Sequence, residues 1–551
     1  MGNEELGCAA GPNDGGEPKI DLDRSVSKTV GEVSLDQHHQ LERGLKSRHI
    51  QFLALGGAIG TGLFVGSGQI LSTVGPAPLF MAYLCMMFVV WVVMNDLAEM
   101  VTYLPMRGIS IPYFVGRFVE PSLSFACGWN YWYAYAMLVA AEFTAGAIIL
   151  QYWTQAVPVG VWIAVQLVVV LLLNVVAVSF FGEAEFWFAS VKLLTILGLI
   201  VLGVCLFFGG GPTHDPLYFR YWQDPPGAFV PYLVAGSTGR FLAFWTAFAR
   251  AGFSFITSPE LIALSAGETV APRRNIPKAA RRFVWRLAVF YGLGSLVIGV
   301  VVPNDDEHLL SGASNASASP FVIGIQRAGI RGLNHVINAA ILTSAWSASN
   351  AFCYSGSRVL YSMALNGQAP KIFATTSRRG VPWVAVLATL AIGCLAFLNV
   401  SNSGAAVFTW FTNISTISGF IAWIVVMVTY LRFRRAMAFN DLLDQLPFRT
   451  PLQPYATYFT LLLITLLTLT NGFQVFFPSE WSVSSFLASY ITIPIFLVLY
   501  LGHKAIYRTP FAIKTRDVDA WTGKKEMDEM CALDVPPVPR NRLEKFWFWL
   551  A

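Results

Sequence analysis

The chain has few charged side chains. Asp, Glu, Lys and Arg make up 13% of its 551 residues, whereas soluble globular proteins carry roughly 25%. The formal net charge is only +5, and the basic residues are spread over many links, which argues against a nucleic-acid partner. Because 55% of the residues are hydrophobic, we predict a protein that lies mostly within a membrane.

The motifs of metal sites and enzymes are also lacking. The seven cysteines are scattered without metal-ligand spacing, so we expect no metal and no cofactor. The apolar runs contain no pair of aspartates, and no HExxH or GxSxG pattern occurs, and we therefore do not expect an enzyme. Residues 1–45 show no signal peptide, and their polar composition predicts a disordered cytoplasmic tail.

Twelve apolar runs are long enough to cross a bilayer as helices. They lie at roughly 50–72, 79–104, 123–152, 159–180, 186–208, 241–265, 284–303, 333–362, 383–400, 405–432, 455–477 and 483–506. The sequence therefore predicts an all-α transmembrane domain over residues 46–507, followed by a cytoplasmic C-terminal tail over 508–551.

The basic residues predict the orientation of these spans. The links after the second, sixth, eighth and tenth spans carry Lys and Arg, whereas the links after the first, third, ninth and eleventh carry none. By the positive-inside rule, both termini face the cytoplasm. Arg220, Arg240, Arg327 and Arg331 break the pattern, but they lie in long outer links, where the rule is weaker. Asn315 begins a glycosylation sequon in a predicted outer link, which agrees with this topology.

The first span contains a glycine-rich string, GGAIGTG at residues 56–62. Glycine is a poor helix former, so we expect the helix to be interrupted at Gly60, Thr61 and Gly62. Unpaired backbone groups in hydrocarbon cost several kcal/mol each, and a broken membrane helix therefore persists only beside a cavity or a ligand. The amides freed beyond Ile59, together with the helix N-terminus, are suited to hold a carboxylate.

A second interruption is predicted in the sixth span, where residues 252–260 read GFSFITSPE. Paired breaks in two halves of a chain indicate an inverted repeat with its ligand near the midplane. Spans one to five and six to ten would form this five-plus-five repeat, and the last two spans would be additions. The carbonyls around Phe255 and Thr257 are suited to an ammonium group. Phe253 and Phe255 are gate candidates, with apolar packing as the default interpretation.

Three ionisable residues lie within predicted spans, where a charge is costly unless it is paired or faces a cavity. Glu260 is expected to anchor a ligand, carry a proton, or bond backbone amides freed by Pro259. Glu142 is expected to contact substrate, relay protons or bond another helix. Lys192 could load and release a proton near neutral pH, or extend to the cytoplasmic interface. Ser347 either serves helix packing or faces Lys192.

Several strings resemble those of the fungal amino-acid permeases, part of the amino acid–polyamine–organocation superfamily. They are GGAIGTGLFVGSG, AAEFTAG, FWFASVKLLTILGL, SPELIALSAGE and SASNAFCYSGSRVLYSMALNGQAPK, and the resemblance covers about residues 42–510. It implies the twelve-helix inverted-repeat fold with broken helices 1 and 6. It also implies proton-driven symport of L-amino acids across the fungal plasma membrane by alternating access.

The same resemblance assigns roles to residues. It implies that the substrate carboxylate meets Gly60, Thr61 and Gly62, that the amine meets the unwound sixth helix, and that Lys192 responds to protons. The stretch at residues 256–260 is one residue longer than the usual family pattern and lacks its glycine, which leaves the amine contacts open.

Two alternatives to an amino-acid symporter stay open at this stage. One is a polyamine, choline or GABA carrier of the same fold, and the other is an amino-acid sensor with little transport. The expected partners are the substrate, protons and the lipid bilayer, and the expected driving force is a proton gradient rather than a cofactor.

Overall fold

The computed structural model describes residues 60–104, 111–176, 178–223, 225, 227–260, 272–309, 319–378, 380–525, 528–529 and 541. Every regular element in these ranges is helical. The predictions for the tail at 1–45, for Ile59 and for the sequon at Asn315 lie outside the described residues.

Helices occupy all twelve predicted span positions. Their bounds are Gly62–Val74, Pro76–Tyr103, Pro121–Gln151, Val159–Val176, Val178–Phe207, Gly236–Ala251, Arg273–Val301, Leu333–Leu365, Trp383–Val400, Gly404–Phe439, Tyr455–Thr470 and the pair Val483–Tyr490 and Thr492–Tyr507. Six of them are long and apolar enough to cross a membrane on length and composition alone, and the pair, bent by 45°, makes a seventh. The fold is therefore an all-α membrane fold, as predicted.

Shorter helices lie in the links and at span ends. Two are α-helical, Ile111–Phe118 and Pro320–Arg327, and the 3-10 turns outside the spans are Arg220–Trp222, Lys371–Ala374, Leu443–Gln445, Phe473–Phe476 and Thr515–Asp517. The seventh span begins at Arg273, earlier than the apolar run at 284–303 indicates, because the basic stretch before that run is also helical.

The third span forms the centre of the molecule. In its most apolar window 89% of the residues are buried, compared with 33% for the fifth span at the periphery. It packs most extensively against the eighth and tenth spans. Small residues allow the close contact with the eighth span, since a Cβ at Gly128 would lie 2.9 Å from Met363 Sδ and one at Gly356 would lie 3.0 Å from Tyr135 Cβ.

Both predicted interruptions coincide with irregular backbone. Gly60 is in a bend, and the helix that follows begins as a π-helix over Gly62–Gly66. The sixth span stops being α-helical at Ala251 and continues through the 3-10 turn Gly252–Ser254, before helix resumes beyond Thr257. π-Turns and 3-10 stretches within helices often mark functional sites. The break in the sixth span is confirmed over its described residues.

The beginning of the predicted C-terminal tail packs against the helical body. Val518 and Ala520 are buried, and Tyr103 Oη donates to the Ala520 carbonyl at 2.8 Å. Arg117 donates to the carbonyls of Asp519 at 2.7 Å and Thr522 at 2.9 Å. This part of the tail therefore belongs to the folded structure.

An ion pair fixes the end of the twelfth span. Lys504 Nζ lies 2.5 Å from Glu120 Oε2, and the two side chains are only 9% and 1% exposed. Tyr500 and Thr509 also donate to the Glu120 carboxylate. Removing one member of a buried pair leaves the other charge uncompensated, whereas removing both together is often nearly neutral.

This pair gives a stability prediction. We expect Lys504→Met to lower the free energy of unfolding by about 3–5 kcal/mol, and the double variant Glu120→Gln/Lys504→Met to recover most of that loss. The measurement is thermal unfolding of the detergent-solubilised protein by fluorescence-detected size exclusion. Lys371→Met, at an exposed position, is the control. A double variant as unstable as Lys504→Met would contradict the argument.

Candidate functional site

The irregular stretches of the first and sixth spans lie directly against each other. A Cβ at Gly62 would lie 2.6 Å from Ser254 Oγ and 2.7 Å from Ser254 Cα, so only glycine permits this approach. Tyr83 Oη is 2.9 Å from Ser254 Oγ and donates to the Gly62 carbonyl at 3.4 Å. Tyr291 Oη donates to the Ser254 carbonyl at 2.8 Å. The two predicted breaks thus meet at one place in the molecule.

Glu142 reaches this place from the third span. Thr61 Oγ1 donates to Glu142 Oε1 at 2.8 Å, and a Cβ at Gly60 would lie 3.8 Å from the same oxygen. Both side chains are buried. Glu142 Oε2 is buried too, and it has no hydrogen-bond partner among the residues with described positions. Such an oxygen is costly to bury, so it is suited to accept from a ligand N–H or to hold a proton.

The carboxylate of Glu260 lies on the other side of the sixth-span break. Its Oε1 accepts from Trp423 Nε1 at 2.9 Å and from Tyr131 Oη at 3.5 Å. Glu260 is 1% exposed, and its Oε2 also lacks a partner within the described part of the chain. The third and tenth spans therefore supply the side chains that hold this carboxylate.

The two candidate gate residues have different surroundings. Phe255 is fully buried, with ring centroids 5.5 Å from Tyr83 and 4.4 Å from Tyr291. It therefore packs inside an aromatic cluster. Phe253 stands edge-on to Phe408, with centroids 5.7 Å apart, and lines an open cleft. Of the two, Phe253 is the one that faces this cleft.

Thr257 has an unusual backbone conformation. Its φ is +66°, a value that is strained for a β-branched residue and is found mainly where the surrounding structure enforces it. Its Oγ1 is buried with no partner among the described residues. The predicted contact role for Thr257 thus falls on a strained position with an unsatisfied hydroxyl.

A small cleft opens beside the two breaks, between the first, sixth and tenth spans. It lies toward the Val74 end of the first span. Its lining combines aromatic, hydroxyl, amide and guanidinium groups: Gly66, Gln69, Ile70, Arg250, Phe253, Ser254, Phe408, Thr409, Thr412, Asn413 and Thr416. Gln69 Nε2 donates to Thr409 Oγ1 at 2.7 Å and so joins the first and tenth spans across it.

Arg250 was not among the site residues predicted from the sequence. This residue lines the cleft and donates from Nη1 to Thr73 Oγ1 at 3.1 Å. A signal was present, because Arg250 is a charged residue inside an apolar run, two positions before the break begins at Gly252.

Lys192 is buried rather than extended to an interface. It is 1% exposed, and its charge acts on the carboxylates of both Glu185 and Glu142. Ser347 Oγ from the eighth span donates to Glu185 Oε1 at 2.8 Å, with Glu185 Oε2 at 2.9 Å. Glu185 was also missed, although it precedes Lys192 by seven residues, which places both on one face of the fifth span.

Across the described ranges, no group of three or more His, Cys, Asp or Glu side chains is arranged to hold a metal ion.

Comparison with known proteins agrees with this arrangement. Residues 49–515 match the family model described as amino acid permease. The chain belongs to the amino acid permease family. The resemblance noted from the sequence is therefore confirmed, and the protein is an amino-acid permease with a multi-pass membrane fold of about twelve spans.

Three relatives show how far the similarity extends. The permease is 59% identical over 541 residues to a proline-specific permease of Emericella nidulans, covering 98% of each chain. It is 51% identical over 520 residues to a proline-specific permease of Saccharomyces cerevisiae, covering 93% of this chain and 82% of the relative. It is 38% identical over 531 residues to a lysine-specific permease of the same yeast, covering 96% and 85%.

The contact at Gly62 gives a prediction for the permease. Gly62→Ala places a methyl group against the Ser254 backbone, which we expect to cost about 1–3 kcal/mol of packing free energy and to lower amino-acid uptake on the order of tenfold. The measurement is uptake of a radiolabelled amino-acid mixture in a permease-deficient yeast, normalised to surface fluorescence of a tagged protein.

The matched control for this variant is Gly198→Ala in the fifth span, where an added Cβ meets nothing within 4 Å. If Gly62→Ala took up amino acids at the wild-type rate at equal surface abundance, the close approach of the two breaks would not be needed for transport.

Proposed function

We propose that the permease takes up a neutral L-amino acid together with a proton by alternating access, and that L-proline is its main substrate. The observation that carries this proposal is the contact at Gly62 and Ser254 between the start of the described first-span helix and the sixth-span break, beside the unpaired oxygen of Glu142. The proline-specific relatives at 59% and 51% identity support the choice of substrate.

The substrate carboxylate is assigned to the start of the first-span helix at Gly60, Thr61 and Gly62. No side chain caps this helix end, and the first amides of a helix, with its dipole, favour an anion. The Thr61 hydroxyl donates to Glu142, so the backbone amides are the groups left for the carboxylate.

The substrate amine is assigned to the space between the sixth-span break and Glu142. The secondary ammonium of proline carries only two N–H groups, so two acceptors suffice. The unpaired Glu142 Oε2 is one acceptor, and a carbonyl of the unwound stretch near Thr257 is the other. The pyrrolidine ring would then pack against the apolar side of the cleft, at Phe253, Phe408 and Ile70.

The charge in the cleft argues against cationic substrates. Arg250 lines the cleft, and two like charges about 8 Å apart repel by about 2 kcal/mol at an effective dielectric constant of 20. Polyamines and choline are therefore disfavoured. GABA is a zwitterion, so this repulsion does not disfavour it. Whether GABA is a substrate is decided by the competition assay described below.

The permease is assigned to the plasma membrane with both termini in the cytoplasm. Arg117, Arg273 and Arg432 lie at span ends or links on the side away from the cleft, as the positive-inside rule requires of a cytoplasmic side. The cleft then opens outward, where it would admit substrate from the medium.

The coupled proton is assigned to the buried ionisable groups beside the site. Lys192 is buried and interacts electrostatically with the carboxylates of Glu185 and Glu142, and such a group can change its protonation with its surroundings. Lys192 would take up a proton in the outward-facing state and release it in the inward-facing state.

Proteoliposomes test the coupling. With an alkaline interior, the wild-type permease should accumulate radiolabelled L-proline, and Lys192→Ala should lose this accumulation while retaining proline exchange across the membrane. Lys371→Ala, at an exposed position, should behave as wild type. Gradient-driven accumulation by Lys192→Ala would remove Lys192 from the coupling mechanism. A wild-type protein that binds proline without flux would instead favour a sensor.

Substrate choice is tested by competition against L-proline uptake, with the twenty amino acids, GABA, choline and spermidine as competitors. We expect unlabelled proline to compete best and lysine and spermidine to compete weakly. Arg250→Gln removes the repulsion estimated above and should strengthen inhibition by lysine about tenfold or more. Arg331→Gln, in an outer link, is the control. Strong lysine inhibition of the wild-type protein would contradict the charge argument.

A further inference from the structure

We propose that Glu185 is the group that receives the proton from Lys192 on its way to the cytoplasm, and that Ser347 holds its carboxylate in position. Glu142, Lys192 and Glu185 would then form a three-group relay from the substrate site to the inner side. This inference rests on the proton coupling proposed above and adds the next acceptor in the path.

Both ionisable side chains of the fifth span are buried. Glu185 is 2% exposed and Lys192 is 1% exposed. Buried ionisable side chains within a membrane protein are expensive, and they are retained mainly where they pair with one another or serve ion pathways. The fifth span is otherwise a peripheral helix, so packing alone gives no reason for two ionisable residues on one of its faces.

Glu185 lies farther from the cleft than Lys192 along the membrane normal. The link that follows Phe207 bonds to the end of the first span, where Val230 N donates to the Val74 carbonyl at 3.0 Å. The Phe207 end of the fifth span therefore lies on the cleft side. Glu185 lies seven residues nearer the opposite end than Lys192, a rise of about 10 Å.

The order of the three groups follows from these positions. Glu142 bonds Thr61 at the first-span break, beside the substrate site. Lys192 interacts electrostatically with both carboxylates, and in the proposed relay it passes the proton from one to the other. Glu185 lies beyond Lys192, away from the cleft. The sequence of groups from the cleft inward is thus Glu142, Lys192, Glu185.

Ser347 holds the Glu185 carboxylate in a fixed orientation. Ser347 Oγ lies 2.8 Å and 2.9 Å from the two oxygens of Glu185, so the eighth span fixes this carboxylate. Asn350, one turn further along the same span, accepts from Asn174 Nδ2 at 2.8 Å through its Oδ1, and its own Nδ2 is buried without a partner among the described residues. Polar groups therefore continue from Ser347 into the interior between the fourth and eighth spans.

Proton transfer from Lys192 to Glu185 breaks one bond and forms one bond. An N–H bond of the Lys192 ammonium breaks and an O–H bond forms on Glu185, which converts an ion pair into a neutral amine and a neutral carboxylic acid. In a low-dielectric interior the Coulomb attraction of the pair is opposed by the cost of burying both charges, so the two forms can lie close in free energy. In the inward-facing state Glu185 gives the proton to water, and Lys192 takes the next proton from Glu142.

The test compares Glu185→Gln with the wild-type permease in the same proteoliposomes. Gln keeps the shape and can still accept from Ser347, but it cannot take up a proton. We expect L-proline exchange within about twofold of wild type, loss of accumulation driven by a pH gradient, and loss of the proton influx that a pH-sensitive dye reports on proline addition. Glu480→Gln, at an exposed position, is the matched control.

The outcomes separate this inference from the proposed function. Accumulation by Glu185→Gln at the wild-type level would overturn the role of Glu185 and leave proton coupling intact. Absence of gradient-driven accumulation in the wild-type protein would overturn proton coupling itself, and the relay with it. Equal losses of exchange and accumulation would indicate a structural role and would also overturn the inference.

A second pair of variants covers the case in which Glu185→Gln does not fold. Glu185→Asp keeps a proton acceptor but shortens its reach, so accumulation should slow more than exchange. Ser347→Ala frees the carboxylate and should shift the pH profile of accumulation, while exchange changes little. Among the described side chains, Glu185 and Glu142 act electrostatically on Lys192, so Glu142→Gln is measured alongside Glu185→Asp and Ser347→Ala. Unchanged ratios of accumulation to exchange in both variants would overturn the proposal.

Discussion

The close approach of Gly62 to Ser254 is the contact on which the rest of the site depends. With side-chain atoms of Ser254 only 2.6 Å from a Cβ position at Gly62, any larger residue would separate the first and sixth spans. Two interrupted helices that touch can share hydrogen-bonding groups with one ligand. If they were separated, each would instead have to satisfy its backbone groups alone in a low-dielectric interior.

The neighbouring aromatic residues make this irregular backbone tolerable. Tyr83 and Tyr291 donate to the Gly62 and Ser254 carbonyls, and Phe255 packs against both tyrosine rings. Backbone that would be costly in lipid is therefore covered by protein on one side, while the side facing the cleft stays open. The same arrangement explains why Phe255 packs inward although its neighbour Phe253 faces the cleft.

Much of the fold and part of the site could be predicted from the sequence. Hydropathy gave the twelve spans because each must match the thickness of a bilayer, and glycine and proline marked the breaks because they disfavour helix. The contact of Glu185 with Ser347 could not be derived, since Ser347 lies on a distant span whose rotation the sequence does not specify. The packing of Val518 and Ala520 was missed for a similar reason: their short polar segment shows no periodicity, and its partners, such as Tyr103, belong to the helical body.

The balance of buried charges gives a physical reason for coupling one proton to one substrate. Before the coupled proton is taken up, with Glu142 ionised, Lys192 neutral and Glu185 protonated, these three groups carry a net charge of one negative unit, and closing the site away from water in that state is costly. A zwitterionic amino acid adds no net charge, so substrate alone does not remove this cost. One added proton makes the loaded site neutral. On the proposed mechanism, the permease loaded with both substrate and proton therefore passes through the occluded state most easily. A second proton would restore a net charge and raise the free-energy barrier to occlusion again.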